Sequence, residues 1–328
     1  MLTPLEMNTQ GRFMGQCLSN SSLTGLRIII GQTASGKSAI ASRIARHSDY
    51  EIISVDSMKI YRGMDIGTSK PNAEQRKKIR YHLIDIIEPY EEYNVAKFVS
   101  DCDRAIADII KRGKKPLLVC GTPLYLKALL YGIFADSGSD SQLRAEMEKT
   151  ASEKGLAFLY EQLMKVDPAK ADKIHANDRK RIIRALEVYK ITGKPISTLQ
   201  THFKKTELRY PVTMVGLKWK SEELYQRINE RVERMFKHGL VEEVKGLINS
   251  GKGLGKQSGD AIGYKEIVRH LNGEITLEAA KEEVKKGTRY LARKQMTWFR
   301  RFPDIKWIEC KLGDDTDRIY KVMTESLE

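Results

Sequence analysis

The sequence predicts an α/β fold in which a parallel sheet, covered by helices on its faces, is interrupted by a helical insertion. Three observations carry this. Short apolar, β-rich runs alternate with helical stretches through the first 135 residues, the pattern of strands buried on both faces of a parallel sheet. A glycine-rich turn joins the first run to a helix. From about Asp136 the strand signal fades, and it returns only at Pro211-Val212-Thr213-Met214-Val215-Gly216-Leu217, so the helices between are inserted into the core.

Taken in order, residues 1–25 lack the basic-then-apolar layout of a secretory signal and read as a flexible polar lead-in. The first strand is Leu26-Arg27-Ile28-Ile29-Ile30, followed by the helical Ala39 to Ala45. Glu51-Ile52-Ile53-Ser54-Val55 and Pro116-Leu117-Leu118-Val119-Cys120 give two further strands. Residues 136–206 form the insertion domain, opening on the loop Ser137 to Ser141, and from Ser221 the chain is again mostly helical. The core is therefore 26–135 with 207–328.

Composition limits the function. Lys plus Arg number 57 against 43 Asp plus Glu, a net charge of +14, which favours a polyanionic partner such as nucleic acid. Cysteine occurs only at Cys17, Cys102, Cys120 and Cys310, with no Cys-x-x-Cys pair, which argues against a disulfide scaffold and a zinc site. No run of 18 apolar residues exists to span a membrane. The expectation is a cytoplasmic, monomeric enzyme or RNA-binding protein.

Gly31-Gln32-Thr33-Ala34-Ser35-Gly36-Lys37-Ser38 fits G-x-x-x-x-G-K-[ST], the P-loop, between a strand and a helix. The core is thus P-loop NTPase-like. Backbone N–H groups from Gly31 through Gly36, with Thr33, Ala34 and Ser35 between, point at phosphate oxygens, and the helix N-terminus adds its dipole. Lys37 bridges terminal phosphates and the Ser38 hydroxyl holds Mg²⁺; the bland alternative is a glycine-rich turn with no ligand. Asp56 closes the second strand and should open onto the same crevice, because neighbouring parallel strands end at one edge. It is readable as a metal-associated carboxylate, a general base or a helix N-cap.

Several segments together resemble one family. Beyond the P-loop these are Val55-Asp56-Ser57-Met58-Lys59-Ile60-Tyr61-Arg62-Gly63-Met64-Asp65-Ile66-Gly67-Thr68, His82-Leu83-Ile84-Asp85, Gly121-Thr122-Pro123-Leu124-Tyr125, Arg184 to Tyr189 with Thr192-Gly193-Lys194-Pro195, Ile262-Gly263-Tyr264-Lys265-Glu266, and Arg289 through Thr297-Trp298-Phe299-Arg300. Over roughly residues 26 to 308 the chain resembles the tRNA dimethylallyltransferases, or tRNA isopentenyltransferases, of bacterial type. It departs from the usual family residues at Gln32 (Pro), Lys59 (Gln), Cys120 (Gly), Pro123 (Gly) and Arg293-Lys294 (Lys-Arg).

The resemblance implies transfer of a dimethylallyl group from dimethylallyl diphosphate to the exocyclic N6 amine of the adenosine 3′-adjacent to the anticodon, releasing diphosphate. The partners are then dimethylallyl diphosphate and a tRNA anticodon stem-loop, with Mg²⁺ as cofactor. An adenine amine is a poor nucleophile, so a carboxylate accepting its proton helps at the moment of attack; Asp56 is the candidate. The Thr122 hydroxyl steadies the oxygen between isoprenoid and phosphate by the same resemblance, with an ordinary turn hydroxyl as its alternative. On the helix from Ser221, Leu224, Ile228, Val232 and Met235 form an apolar stripe bordered by Arg227 and Arg231. These arginines are diphosphate ligands, Arg227 neutralising the leaving group, or else solvated or salt-bridged.

For tRNA the assigned residues are Asp56, Ser57, Met58, Lys59, Arg144, Lys180, Arg181, Ile182, Ile183, Arg184, Gly263, Tyr264, Lys265, Lys285, Arg289 and Arg293. Lys285, Arg289 and Arg293 share a helix face at i, i+4, i+8, which is read as phosphate contact or as a solvated face. The target base must leave its stack to reach Asp56. Three rival functions stay open: prenyl transfer to free AMP, ADP or ATP, a P-loop nucleotide kinase, and a non-catalytic RNA-binding protein.

Overall fold

The computed structural model describes residues 25–132, 138, 140–199 and 207–328. The lead-in, both edges of the expected insertion and most of the loop at Ser137 lie outside the described residues. The strands are β1 (Leu26–Gly31), β2 (Tyr50–Val55), β3 (Tyr81–His82), β4 (Lys115–Cys120), β5 (Val212–Trp219) and β6 (Ile305–Cys310). They form one six-stranded sheet, ordered β3-β2-β4-β1-β5-β6, and every pairing is parallel. The expected α/β class with a parallel sheet is what the chain adopts.

β1 is central, with Ile30 in register with Cys120 on one side and Gly216 on the other. Ile28, Ile29 and Ile30 have no exposed surface, as a strand covered on both faces requires. Pro211 lies just outside β5 because it has no N–H to donate, yet its carbonyl accepts from Leu26 N at 2.8 Å. Two strands had no counterpart among the expected ones. β3 pairs through only two residues, and β6, Ile-Lys-Trp-Ile-Glu-Cys, alternates exposed and covered positions along the sheet edge. Neither contains the uninterrupted apolar run that marks a central strand.

The described residues divide into two compact units, Ser22–Leu126 with Tyr210–Glu328, and Lys127–Arg209. The second is helical. Helices Ser141–Glu153, Leu156–Val166 and Arg179–Thr192 pack around Met147, Leu163, Ile182 and Leu186. The Asp140 side chain caps the first of them at Gln142 N and Leu143 N, and Gly193 ends the last at φ 67 in the left-handed region.

This packing corrects four of the residues assigned to tRNA. Ile182 and Ile183 are 0% and 4% exposed; they belong to the apolar core and present nothing to RNA. Arg144 and Arg184 serve a buried carboxylate. Glu187 is fully covered and accepts from Arg144 Nε at 2.8 Å, Arg184 Nη1 at 2.7 Å and Asp140 N at 2.9 Å. A buried charge needs such partners, so both guanidiniums are occupied. Lys180 and Arg181 lie exposed on the same helix. Among the described residues no helix is long and apolar enough to cross a membrane.

Candidate active site

The loop after β1 turns through two left-handed residues, Ala34 at φ 62 and Gly36 at φ 94. Glycine takes this conformation freely, whereas alanine gives up about 1 kcal/mol, so the loop needs outside support. Arg227 Nε donates to Ala34 O at 2.9 Å and Trp219 Nε1 to Ser35 O at 3.0 Å. Arg231 Nη1 donates to Thr33 Oγ1 at 2.7 Å. From the helix Leu277–Phe299, Gln295 Oε1 accepts from Thr33 N at 2.7 Å, while Gln32 Nε2 donates to Ala292 O at 2.9 Å. The cradle is thus fixed from three parts of the chain.

Lys37 opens the helix Lys37–Arg46 and donates to Gln32 O at 3.2 Å. Burial pushes its ammonium down to about 8, with repulsion from Lys59 adding to this and attraction to Asp56 opposing it. Asp56 follows β2, and its Oδ1 accepts from Met58 N at 2.9 Å and Lys59 N at 3.3 Å. No helix starts here, so the helix N-cap alternative is not what forms; Asp56 caps a turn instead, with one oxygen only. The other oxygen faces Gly121, where an added Cβ would lie 3.4 Å from Asp56 Oδ2 and 3.5 Å from Lys37 Cε. Carboxylate and lysine side chain thus border the same gap beside Gly121.

Thr122 closes the same edge. Its N–H donates to Val55 O at 3.1 Å, and its hydroxyl oxygen accepts from Ser57 N at 3.1 Å. Gln295, 7% exposed, donates from Nε2 to Gly121 O at 2.6 Å and so joins this loop to the phosphate cradle. These groups open onto one cavity of about 1450 Å³, lined among others by Thr33, Lys37, Ser38, Asp56, Thr122 and Arg231. Arg227 lies on its wall too, with its guanidinium 4.2 Å above the Trp219 ring. Burial lowers the pKa of both arginines from the usual guanidinium value.

Of the residues assigned to tRNA, Ser57, Met58, Lys59, Gly263 and Tyr264 line this cavity with Asp56, whereas Lys265 is not on its wall. Tyr264 needs a different role. It is 1% exposed, and its hydroxyl donates to Glu243 Oε1 at 2.6 Å. Glu243 also accepts from Asp65 N, Ile66 N and Gly67 N, which makes Tyr264 part of a clasp on the 65–67 loop. Gly67 is required there, since a Cβ would come within 2.5 Å of the Tyr264 ring. The basic face on the helix Leu277–Phe299 is also corrected in part. The Lys285 ammonium, 13% exposed, is held by Glu233 and Glu282, each at 2.7 Å, and Arg289 donates to Asn229 Oδ1 at 2.9 Å. Arg293 and Lys294 remain exposed, and both cations lie against the ring of Tyr290.

The family model for IPP transferase matches residues 59–302. The chain belongs to the IPP transferase family. A second model, isopentenyl transferase, matches residues 24–88. Among IPP transferase relatives, the tRNA dimethylallyltransferase of Geobacter sulfurreducens is 46% identical over 295 residues, covering 90% of this chain and 95% of its own. That of Caldanaerobacter subterraneus is 47% identical over 286 residues, covering 85% and 90%. The solved tRNA isopentenylpyrophosphate transferase of Bacillus halodurans is 38% identical with a TM-score of 0.66, over 92% of this chain and 96% of its own. A eukaryotic dimethylallyltransferase acting on tRNA is 29% identical with a TM-score of 0.76, over 92% and 78%. The family read from the motifs is confirmed, and the protein is a transferase.

Gln295, Trp219 and Glu243 were not singled out from the sequence of this IPP transferase. A signal existed for Gln295: with Ala292, Met296 and Phe299 it falls on the buried stripe of its helix, and a buried amide needs partners. Gly121→Ala tests this gap directly. Nothing lies closer than 3.4 Å to the added methyl, so the variant is expected to melt like wild type and to lose about tenfold in turnover because the methyl fills the gap where the reacting atoms must fit; wild-type turnover would show that the gap is not used.

Proposed function

We infer that the protein transfers a dimethylallyl group from dimethylallyl diphosphate to the N6 amine of the adenosine 3′-adjacent to the anticodon in tRNA, releasing diphosphate. The observation that carries this reading is that Asp56 Oδ2 and Lys37 border the same gap beside Gly121 on one cavity. A base and a leaving-group cation are needed at the two ends of one displacement. The amine nitrogen attacks C1 of the isoprenoid, the C–O bond breaks toward the diphosphate, and the surplus proton passes from nitrogen to Asp56. Lys37, Arg227 and Arg231 take up the charge that gathers on the leaving group. The Thr122 hydroxyl stands beside them, oriented by Ser57 N.

Ser38, exposed on the cavity wall one residue after Lys37, offers a hydroxyl to a divalent cation. Among the described residues no group of three or more His, Cys, Asp or Glu side chains could hold a metal ion. That fits Mg²⁺, which keeps few protein ligands and takes the rest from substrate phosphates and water. When bound, it neutralises phosphate charge.

For tRNA we assign Lys180 and Arg181 in the helical unit, and Arg293 with Lys294 in place of Lys285 and Arg289. Each phosphate contact contributes roughly 0.7 to 0.9 to the slope of log affinity against log salt. Removing Arg293 and Lys294 together should therefore flatten the slope by about 1.4 to 1.8, and Lys285→Ala should leave it unchanged. Binding titrations across a salt series decide this, and a flattening by Lys285→Ala alone would reverse the assignment.

The function itself is tested by incubating the protein with dimethylallyl diphosphate, Mg²⁺ and unmodified tRNA, followed by mass analysis of the nucleosides. Prenylated adenosine in the tRNA digest is expected. Prenylation of AMP in preference to tRNA, or phosphate transfer from ATP, would replace this reading.

A further inference from the structure

Lys59 brings a cation to the turn that follows β2. The turn after β2 is tied to Asp56 through Met58 N and Lys59 N, which leaves Lys59 half-buried on the wall of the cavity that holds Lys37, Asp56 and Arg231. Lys70 lines the same cavity but is already neutralised, since its ammonium donates to Asp65, Asp85 and the Tyr61 carbonyl. Lys59 has no such carboxylate of its own. Asp56 attracts it, and Arg231, Lys70 and Arg76 repel it. With Lys70 and Arg76 paired to Asp65 and Asp85, Asp56 is left with Lys37, Lys59 and Arg231 around it, a local surplus of positive charge in a half-buried site. Such a surplus is costly while the site is empty and favourable once a polyanion fills it.

We propose that Lys59 is a fourth cation of the diphosphate site, acting with Lys37, Arg227 and Arg231 on the leaving group. This rests on the function inferred above. An RNA phosphodiester is the other anion that could meet this ammonium. The diphosphate is favoured because the turn carrying Lys59 is tied to Asp56, whose other oxygen borders the same Gly121 gap as Lys37, and that lysine sits at the start of the helix built to receive phosphates.

Lys59→Gln removes the charge and puts a shorter side chain on the cavity wall, which the cavity can accommodate. Lys59→Arg keeps the charge. Calorimetric titration with pyrophosphate and Mg²⁺, paired with tRNA titration at fixed salt, reads both candidate ligands. Lys59→Gln should weaken pyrophosphate binding about tenfold, Lys59→Arg should stay within about threefold of wild type, and tRNA affinity should change less than about twofold in either variant. Unchanged pyrophosphate binding in Lys59→Gln, or a loss of tRNA affinity as large as the loss of pyrophosphate affinity, would overturn the proposal. If wild type neither binds pyrophosphate nor prenylates tRNA, the functional reading itself has failed; if it does both and Lys59→Gln matches it, only Lys59 has been misassigned.

Discussion

Asp56→Asn is expected to slow dimethylallyl transfer by about 10²- to 10⁴-fold, the range for a lost general base, with both substrates bound about as tightly as by wild type. Asparagine is the informative replacement because its side-chain oxygen can still accept from Met58 N and Lys59 N, the two hydrogen bonds that shape the turn. What it removes is the basic oxygen facing Gly121. Asp56→Ala takes away both functions, so the two variants separate geometry from chemistry. Single-turnover rates with saturating tRNA make the comparison, and an Asn variant as fast as wild type would reduce Asp56 to a turn cap.

Lys37→Ala should raise the dissociation constant for dimethylallyl diphosphate and lower turnover together, with a combined loss in kcat/KM of about 10³-fold. The ammonium is half-buried and held near Asp56, so no water-exposed cation can stand in for it. It also acts on the same phosphates before and after the C–O bond breaks, which is why both constants move. Equilibrium binding of pyrophosphate alongside steady-state kinetics measures the two effects. A loss confined to tRNA affinity would remove Lys37 from the phosphate site.

Much of this site was legible in the sequence because it lies in local segments. A strand, a glycine-rich turn and a helix within 26–46 define the cradle, and Asp56 and Thr122 each follow an apolar run that ends at the same sheet edge. The supports were not legible, because they act across long separations. Gln295 reaches Thr33 over 262 residues and Trp219 reaches Ser35 over 184, and no periodicity reports such pairings. Charge runs misled for a related reason. Arg184 and Lys285 read as free cations until folding brought Glu187 and Glu233 against them, and spacing along one helix cannot reveal a carboxylate arriving from elsewhere. β6 escaped because an edge strand alternates polar and apolar residues in too short a stretch.

The ties on the loop after β1 also set a timetable for synthesis. The phosphate-binding segment is among the first described parts of the chain to leave the ribosome, yet its last supports, Ala292 and Gln295, follow Gln32 and Thr33 by 260 and 262 residues. Until then the loop lacks the hydrogen bonds at Gln32 and Thr33 that help hold the left-handed turn at Ala34, and β5 has no β6 beside it. The nascent molecule therefore exposes a strand edge, the surface most prone to pair with a neighbouring chain. A polypeptide stopped before residue 292 contains the whole motif and cannot complete the site that the motif announces.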